Sequence, residues 1–244
     1  MKHIPNLITS LNMVSGFIAV ISAARGDVLM ASWFILAAMI FDFLDGFAAR
    51  LLKAYSNIGK ELDSLADAVS FGVAPAVIIF DLLNTTVSSE YFLIRERVLH
   101  SILVFIPAIM PVCAALRLAI FNTDPSQSTS FRGLPTPASA MAVISLTFAA
   151  NFSDSSFIRS FIDSPILLLS YTIVLSLLMV SRLHLMSLKI KSFGFRGNEG
   201  RYLLLAFILI SWLIIGPASL LLIIPEYIIA SIIHYGVLNK NDEE

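Results

Sequence analysis

Residues 41–72 read FDFLDGFAARLLKAYSNIGKELDSLADAVSFG. Two stretches apolar enough to enter a bilayer meet here, yet they carry four aspartates, Asp42, Asp45, Asp63 and Asp67. Asp42 and Asp45 are three residues apart and Asp63 and Asp67 four apart, so on helices each pair shares a face. The connection over residues 51–62 is short, which predicts antiparallel neighbouring helices whose carboxylates converge at one edge of the membrane. Four like charges that close must either take up protons or be neutralised by cations. Oxygen-only ligands suit Mg²⁺, Mn²⁺ or Ca²⁺ rather than zinc. Two divalent ions would balance four carboxylates, and paired metals are common in phosphoryl chemistry. Gly46 lies one turn after Asp42, Ala49 one turn after Asp45, and Gly59 just before Asp63. These small residues leave room for a bulky ligand at the backbone. Aspartates at span ends also serve as plain solvated caps, the reading that Asp27 and Asp81 invite. The paired spacing and the small residues favour a site for the quartet.

The rest of the chain agrees with a membrane setting. Of its 244 residues 57% are hydrophobic, and the mean hydropathy is +0.86, well above a soluble domain. Apolar runs of about 20 residues, the length that crosses a bilayer core, recur along it. They lie near 5–24, 28–48, 63–83, 99–121, 134–152 and 165–185, with a longer run over 202–238. Gly216-Pro217 and Pro225-Glu226 interrupt the last run, which reads as two shorter helices turning near 216–219, or as one tilted helix plus a surface piece. The expected fold is therefore all-α, a polytopic transmembrane bundle of about eight spans: a six-helix core and a C-terminal hairpin. The N-terminal run shows no cleavage pattern and reads as a first span. With the 49–60 loop on the cytoplasmic side, twelve of the sixteen Lys and Arg are cytoplasmic and only Arg25, Arg95, Arg97 and Arg159 lie outside, which orients the chain. A net charge of −1 offers no basic field for nucleic acid, and one cysteine, Cys113, excludes an internal disulfide or a cysteine zinc cluster. The four histidines are scattered and form no metal-binding pair.

From Asp42 to Asp67 the pattern is D-x-x-D-G-x-x-A-R-x8-G-x-x-x-D-x-x-x-D. It resembles the defining motif of the CDP-alcohol phosphotransferase family. The resemblance implies a membrane-embedded enzyme, usually a homodimer, that uses two divalent cations, Mn²⁺ or Mg²⁺. Such an enzyme transfers a phosphatidyl or similar group from a CDP-linked lipid to an alcohol and releases CMP. It also implies roles: Asp42, Asp45, Asp63 and Asp67 as metal ligands, Asp67 also as the base, and Gly46, Ala49, Arg50 and Gly59 at the CDP-lipid. Softer likenesses, in 5–20, 116–122, 131–140 and 179–189, are to the membrane-spanning phosphatidylserine synthases. Ile120 and His184 depart from that subfamily, where arginine and proline are usual. The likeness implies CDP-diacylglycerol and L-serine as substrates, membrane lipids as surroundings, and a site in the inner membrane facing the cytoplasm. It divides the chain into a catalytic domain, 1–190, and a C-terminal extension, 191–244.

The residues allow the same chemistry. A serine hydroxyl is a poor nucleophile, and a carboxylate within reach can take its proton. Asp67 lies one turn deeper than Asp63 and can face the acceptor. No Ser-His-Asp set or Cys-His pair is visible, which favours in-line displacement. Arg117, Asn122, Arg132, Arg182 and Lys189 are candidates to hold serine or phosphate, a guanidinium being well shaped for either. Each basic one is equally a headgroup anchor. The same chemistry on glycerol phosphate or inositol phosphate is an alternative, and a divalent-cation transporter is a more distant one.

Overall fold

The computed structural model describes residues 3–87, 102–123, 131–186, 194 and 198–235. Helix α1, Ile4–Ala24, and helix α2, Val28–Leu51, pack along one another as a hairpin. Gly26, at φ +82°, makes the turn, and Asp27 caps α2 by accepting from the Met30 amide at 2.9 Å. The face of α1 turned inward carries Pro5, Thr9, Asn12, Ser15, Gly16, Ala19 and Ala23. Its outward face carries Leu7, Val14 and Phe17. Small and polar residues inside with large apolar ones outside is the pattern of a helix packed in lipid.

Helix α3, Asn57–Asp67, runs into a π-helical turn, Ala68–Val73, and then into α4, Ala74–Val87. The wide turn has a local cause. Pro75 has no amide hydrogen to give back to Phe71, and the Ala74 amide bonds five residues back to Val69. The turn lies against α1, where Ser70 Oγ donates to the Asn12 carbonyl at 3.0 Å. A side chain at Gly16 would collide with the Ser70 backbone there.

Helix α5, Ile109–Thr123, packs on the π turn, and Gly72 meets Pro111 and Ala114 at close range. Helix α6, Thr136–Phe152, is the most enclosed. Ser32 and Thr147 hydroxyls meet at 2.5 Å and tie it to α2, and Tyr171 donates to the Ala142 carbonyl at 2.8 Å to tie it to α8. Helix α7, Ser156–Ile162, and helix α8, Pro165–Val180, meet at a bend of 81°. Two short strands pair antiparallel, β1, Phe131–Arg132, with β2, His184–Leu185. Gly133 follows at φ +76°, where a Cβ would stand 2.5 Å from the Met179 carbonyl oxygen. Its amide donates to Leu183 and that of Leu134 to Leu178, each at 2.9 Å. Ser32 lies near the start of α2, and the Ile162 carbonyl, just beyond α6, accepts from Thr86 at the far end of α4, so the start of α6 at Thr136, and the strand pair before it, lie toward the aspartate end.

The C-terminal part contains α9, Glu199–Ile215, a 3-10 segment, Gly216–Leu222, and α10, Ile223–Ile233. Gly216 breaks the helix at φ +58°. The chain folds back: a Cβ at Gly200 would stand 2.9 Å from His234. The expectation of two helices turning near Gly216 therefore describes this region, and the tilted single helix does not.

The bundle is all-α apart from the two-residue strands. By length and composition, five helices among the described residues can cross a membrane, or six when the bent α7–α8 pair counts as one span. Eight were expected. The difference lies at two places: α6, with 17 residues, falls below that length, and Glu199–Ile233 counts once although it doubles back.

Candidate active site

The sequence predicts antiparallel neighbouring helices, and the two spans do neighbour one another, though not along their whole length. α2 touches α4, but α2 and α3 hardly approach one another, and each instead packs on α1. The two helices splay at their aspartate ends, and α1 forms the floor between them. α2 ends in a Schellman closure: the Lys53 amide bonds back to Arg50 and the Ala54 amide to Ala49, with Lys53 left-handed at φ +50°. Only residues 52–56 remain as a loop, because α3 begins at Asn57 under a Ser56 cap that accepts from the Gly59 amide at 2.9 Å.

Across the splay, carboxylate oxygens of Asp42, Asp63 and Asp67 lie within 4.8 Å of one another. Asp67 is 8% exposed and accepts from Asn12 Nδ2 at 3.3 Å. Asp45, 6% exposed, stands outside this set and faces the adjoining cleft. Helical geometry explains the separation. Three residues are about 300° of rotation, so Asp45 points about 60° away from Asp42. Asp63 belongs to both the trio and the cleft. Asp45 Oδ2 and Asp63 Oδ1 are buried with no hydrogen-bond partner, and none of the four aspartates forms an ion pair among the described residues. Buried carboxylate oxygens left in that state call for a proton or a cation. An all-oxygen set of three fits a hard divalent ion.

The cleft has a volume of about 380 Å³ and is lined by Gly46, Ala49, Arg50 and Gly59 together with Asp45 and Asp63. All four residues expected at the CDP-lipid thus border one space. The two glycines differ in cause. A Cβ at Gly59 would stand 2.9 Å from Asn6 Oδ1 and 3.0 Å from Ser56 Oγ, so Asn6 and the Ser56 cap would have to shift to admit a side chain. At Gly46 the nearest atom is the Arg50 guanidinium at 3.8 Å, an ordinary contact. The fold does not demand glycine there; the open cleft is what a side chain would occupy.

The headgroup candidates divide. Arg117 is 8% exposed, with Nε unpartnered, within electrostatic range of Asp67 and of Tyr227. Asn122 donates to Ser64 Oγ at 2.8 Å and its carbonyl accepts from Lys60 Nζ at 3.0 Å, which joins the end of α5 to α3. Arg132 lies in β1, paired with His184 of β2, and Arg182 is exposed just before β2. Lys189 lies outside the described residues.

The family model described as CDP-alcohol phosphatidyltransferase matches residues 2–180. The chain belongs to this family. A Bacillus subtilis (strain 168) protein named CDP-diacylglycerol–serine O-phosphatidyltransferase is 36% identical over 183 residues, 75% of this chain and 89% of that protein. A Helicobacter pylori (strain 26695) protein of the same name is 34% identical over 181 residues, 73% of this chain and 70% of that protein. The archaetidylserine synthase of Methanothermobacter thermautotrophicus is 31% identical over 169 residues, 68% of this chain and 67% of that protein.

CDP-alcohol phosphatidyltransferases generally depend on metal, and the aspartate cluster here can bind an ion. Like the family, this chain is an integral membrane protein. Sequence reasoning missed the contribution of α1. Asn6 and Thr9 line the cleft and Asn12 holds Asp67. The signal was present as polar residues spaced three apart on one face of an apolar helix. It also missed Lys60 and Ser56 at the cleft and Tyr227 beside Arg117.

Proposed function

We propose that this protein is a phosphatidylserine synthase: it transfers the phosphatidyl group of CDP-diacylglycerol to L-serine and releases CMP. The observation that carries the reading is the convergence of Asp42, Asp63 and Asp67 beside a cleft bordered by Asp45, Gly46, Ala49, Arg50 and Gly59. Serine is the acceptor named in relatives whose lipid parts differ, diacylglycerol in two and archaetidyl in the third. That agreement supports serine as the acceptor here.

In this reading the CDP diphosphate lies in the cleft, and Gly46 and Ala49 let it approach the α2 backbone. Arg50 and Lys60 offer cations at the cleft wall. Asp42, Asp45, Asp63 and Asp67 would hold two divalent cations, Mn²⁺ or Mg²⁺, which would offset the diphosphate charge and polarise the phosphorus under attack. Asp67 takes the proton of the serine hydroxyl as the new O–P bond forms and the bond to CMP breaks. Asn12 aims that carboxylate. Arg117, lying toward Asp67, holds the serine carboxylate, with Arg132, Arg182, Lys189 and Asn122 as further contacts to serine or phosphate.

The family likeness supports a homodimer in the inner membrane, and the charge bias, counted over eight spans, supports a site open to the cytoplasm. Residues 1–190 carry the chemistry and 191–244 extend it. The test is CMP release by purified protein with CDP-diacylglycerol and a panel of acceptors: serine, glycerol phosphate and inositol phosphate. Release with serine alone is expected. Release with another acceptor and none with serine would reassign the substrate.

A further inference from the structure

The family match ends at residue 180, yet the C-terminal hairpin grips the chain just beyond it. Tyr227 Oη donates to the Met186 carbonyl at 2.8 Å, and the Met186 amide donates to Ser231 Oγ at 3.2 Å. Ser231 in turn donates to the Tyr227 carbonyl at 2.7 Å. Both backbone polar groups of Met186 are thus taken by side chains of α10, in place of a third strand pair. Met186 is 3% exposed and Tyr227 4%. A Cβ at Gly200 would stand 2.9 Å from Met186 Sδ, so α9 closes on the same residue. The His184 and Tyr235 rings meet edge to face at 6.3 Å.

What is gripped is the end of β2. Its partner β1 contains Arg132, and Arg182 stands two residues before it. Two of the candidate contacts to serine or phosphate therefore lie in or just before a ribbon of two residue pairs. A pairing that short has little stability of its own. Among the described residues none of the hairpin lines the CDP-lipid cleft, whose lining comes from 5–9, 45–50 and 54–63.

We propose that Tyr227 is a positioning residue for the acceptor: with Ser231 it anchors Met186, and so holds the β1–β2 ribbon and its arginines at the acceptor side of the aspartate site. The inference rests on the reading that serine binds on that side. It assigns the extension a part in acceptor recognition and none in CDP-lipid binding.

The test uses the full chain in lipid nanodiscs and reads KM for serine, KM for CDP-diacylglycerol and kcat. Loss of one buried hydrogen bond is expected to raise the serine KM of Tyr227→Phe about tenfold, with kcat and the CDP-diacylglycerol KM within twofold of the parent. Ser231→Ala, which frees the Met186 amide, should shift the same constant and serves where Tyr227→Phe folds poorly. Tyr171→Phe is the matched control, because it loses the same kind of buried bond, to Ala142, away from the ribbon. An unchanged serine KM in both test variants overturns the proposal, as does an equal shift in Tyr171→Phe or in the CDP-diacylglycerol KM. Arg132→Gln and Arg182→Gln separate the layers. If they raise the serine KM and Tyr227→Phe does not, the anchor alone fails. If neither raises it, the ribbon is not on the acceptor's side and the underlying reading fails.

Discussion

Asn12 donates a hydrogen bond to Asp67 across 55 residues of sequence, Nδ2 to Oδ1 at 3.3 Å, with both side chains buried. The first helix of the bundle thereby reaches the carboxylate assigned as base. The neighbouring Ser70 bond to the Asn12 carbonyl pins the same turn of α1 against the π-helical segment. Asn12 is held at both ends, and Asp67 is held by it.

Asn12→Ala leaves Asp67 without its donor and free to rotate in the metal cluster. A hydrogen bond to a charged group contributes about 1.5–3 kcal/mol, so kcat should fall by about 10- to 100-fold. CDP-lipid binding, on the far side of Asp45, should change little. Steady-state kinetics beside equilibrium binding of CDP-diacylglycerol checks both. Near-parental kcat would remove Asn12 from the site.

Glycines 46 and 59 separate a ligand constraint from a folding constraint. Gly59→Ala presses on Asn6 Oδ1 and on the Ser56 Oγ that caps α3, and loss of such a cap costs about 0.5–2 kcal/mol. Its melting temperature should drop. Gly46→Ala meets only the movable Arg50 side chain; it should melt like the parent and raise the KM for CDP-diacylglycerol. Parental stability and parental KM in Gly46→Ala would place the nucleotide elsewhere.

Asp67→Asn keeps size and one metal-binding oxygen and loses the proton acceptor. General bases contribute about 10²- to 10⁴-fold, and kcat should fall by that factor while CDP-lipid binding falls far less. Asp81→Asn, at the opposite end of the span beside Gly26, should be near parental. Equal loss of binding and turnover in Asp67→Asn would make Asp67 a metal ligand only.

Gly133→Ala forces a Cβ to within 2.5 Å of the Met179 carbonyl oxygen, at a φ of +76°. A left-handed residue with a Cβ costs about 1–2 kcal/mol before that clash is counted. The variant should lose stability and serine affinity together, read by thermal unfolding and serine KM. Retention of both would show that the turn has another conformation open to it.

The aspartate site was legible because its information is local. Intervals of three and four residues place Asp42, Asp63 and Asp67 on facing sides of two joined helices, and composition places those helices in lipid. The separation of Asp45 follows from the same helical angle: a spacing of three puts two residues near one face, yet their directions still differ by about 60°. What the sequence hid is non-local. Nothing in residues 42–67 tells that α1 lies between α2 and α3. The polar stripe Asn6, Thr9 and Asn12 marked an inward face without saying what it faced. The β1–β2 ribbon has two residues a side, too few for any strand pattern, and Tyr227 sits in an apolar run where an aromatic residue reads as lipid contact. Gly216-Pro217 was readable as a break because glycine followed by proline ends a helix wherever it occurs.

The most direct measurement is the balance of products from purified protein given CDP-diacylglycerol, labelled serine and Mn²⁺ or Mg²⁺. The account predicts one phosphatidylserine for each CMP, no CMP above background without serine, loss of both products with a chelator, and loss of both in Asp63→Asn. Full product formation in excess chelator with no bound metal, or from a folded Asp63→Asn protein, would contradict it.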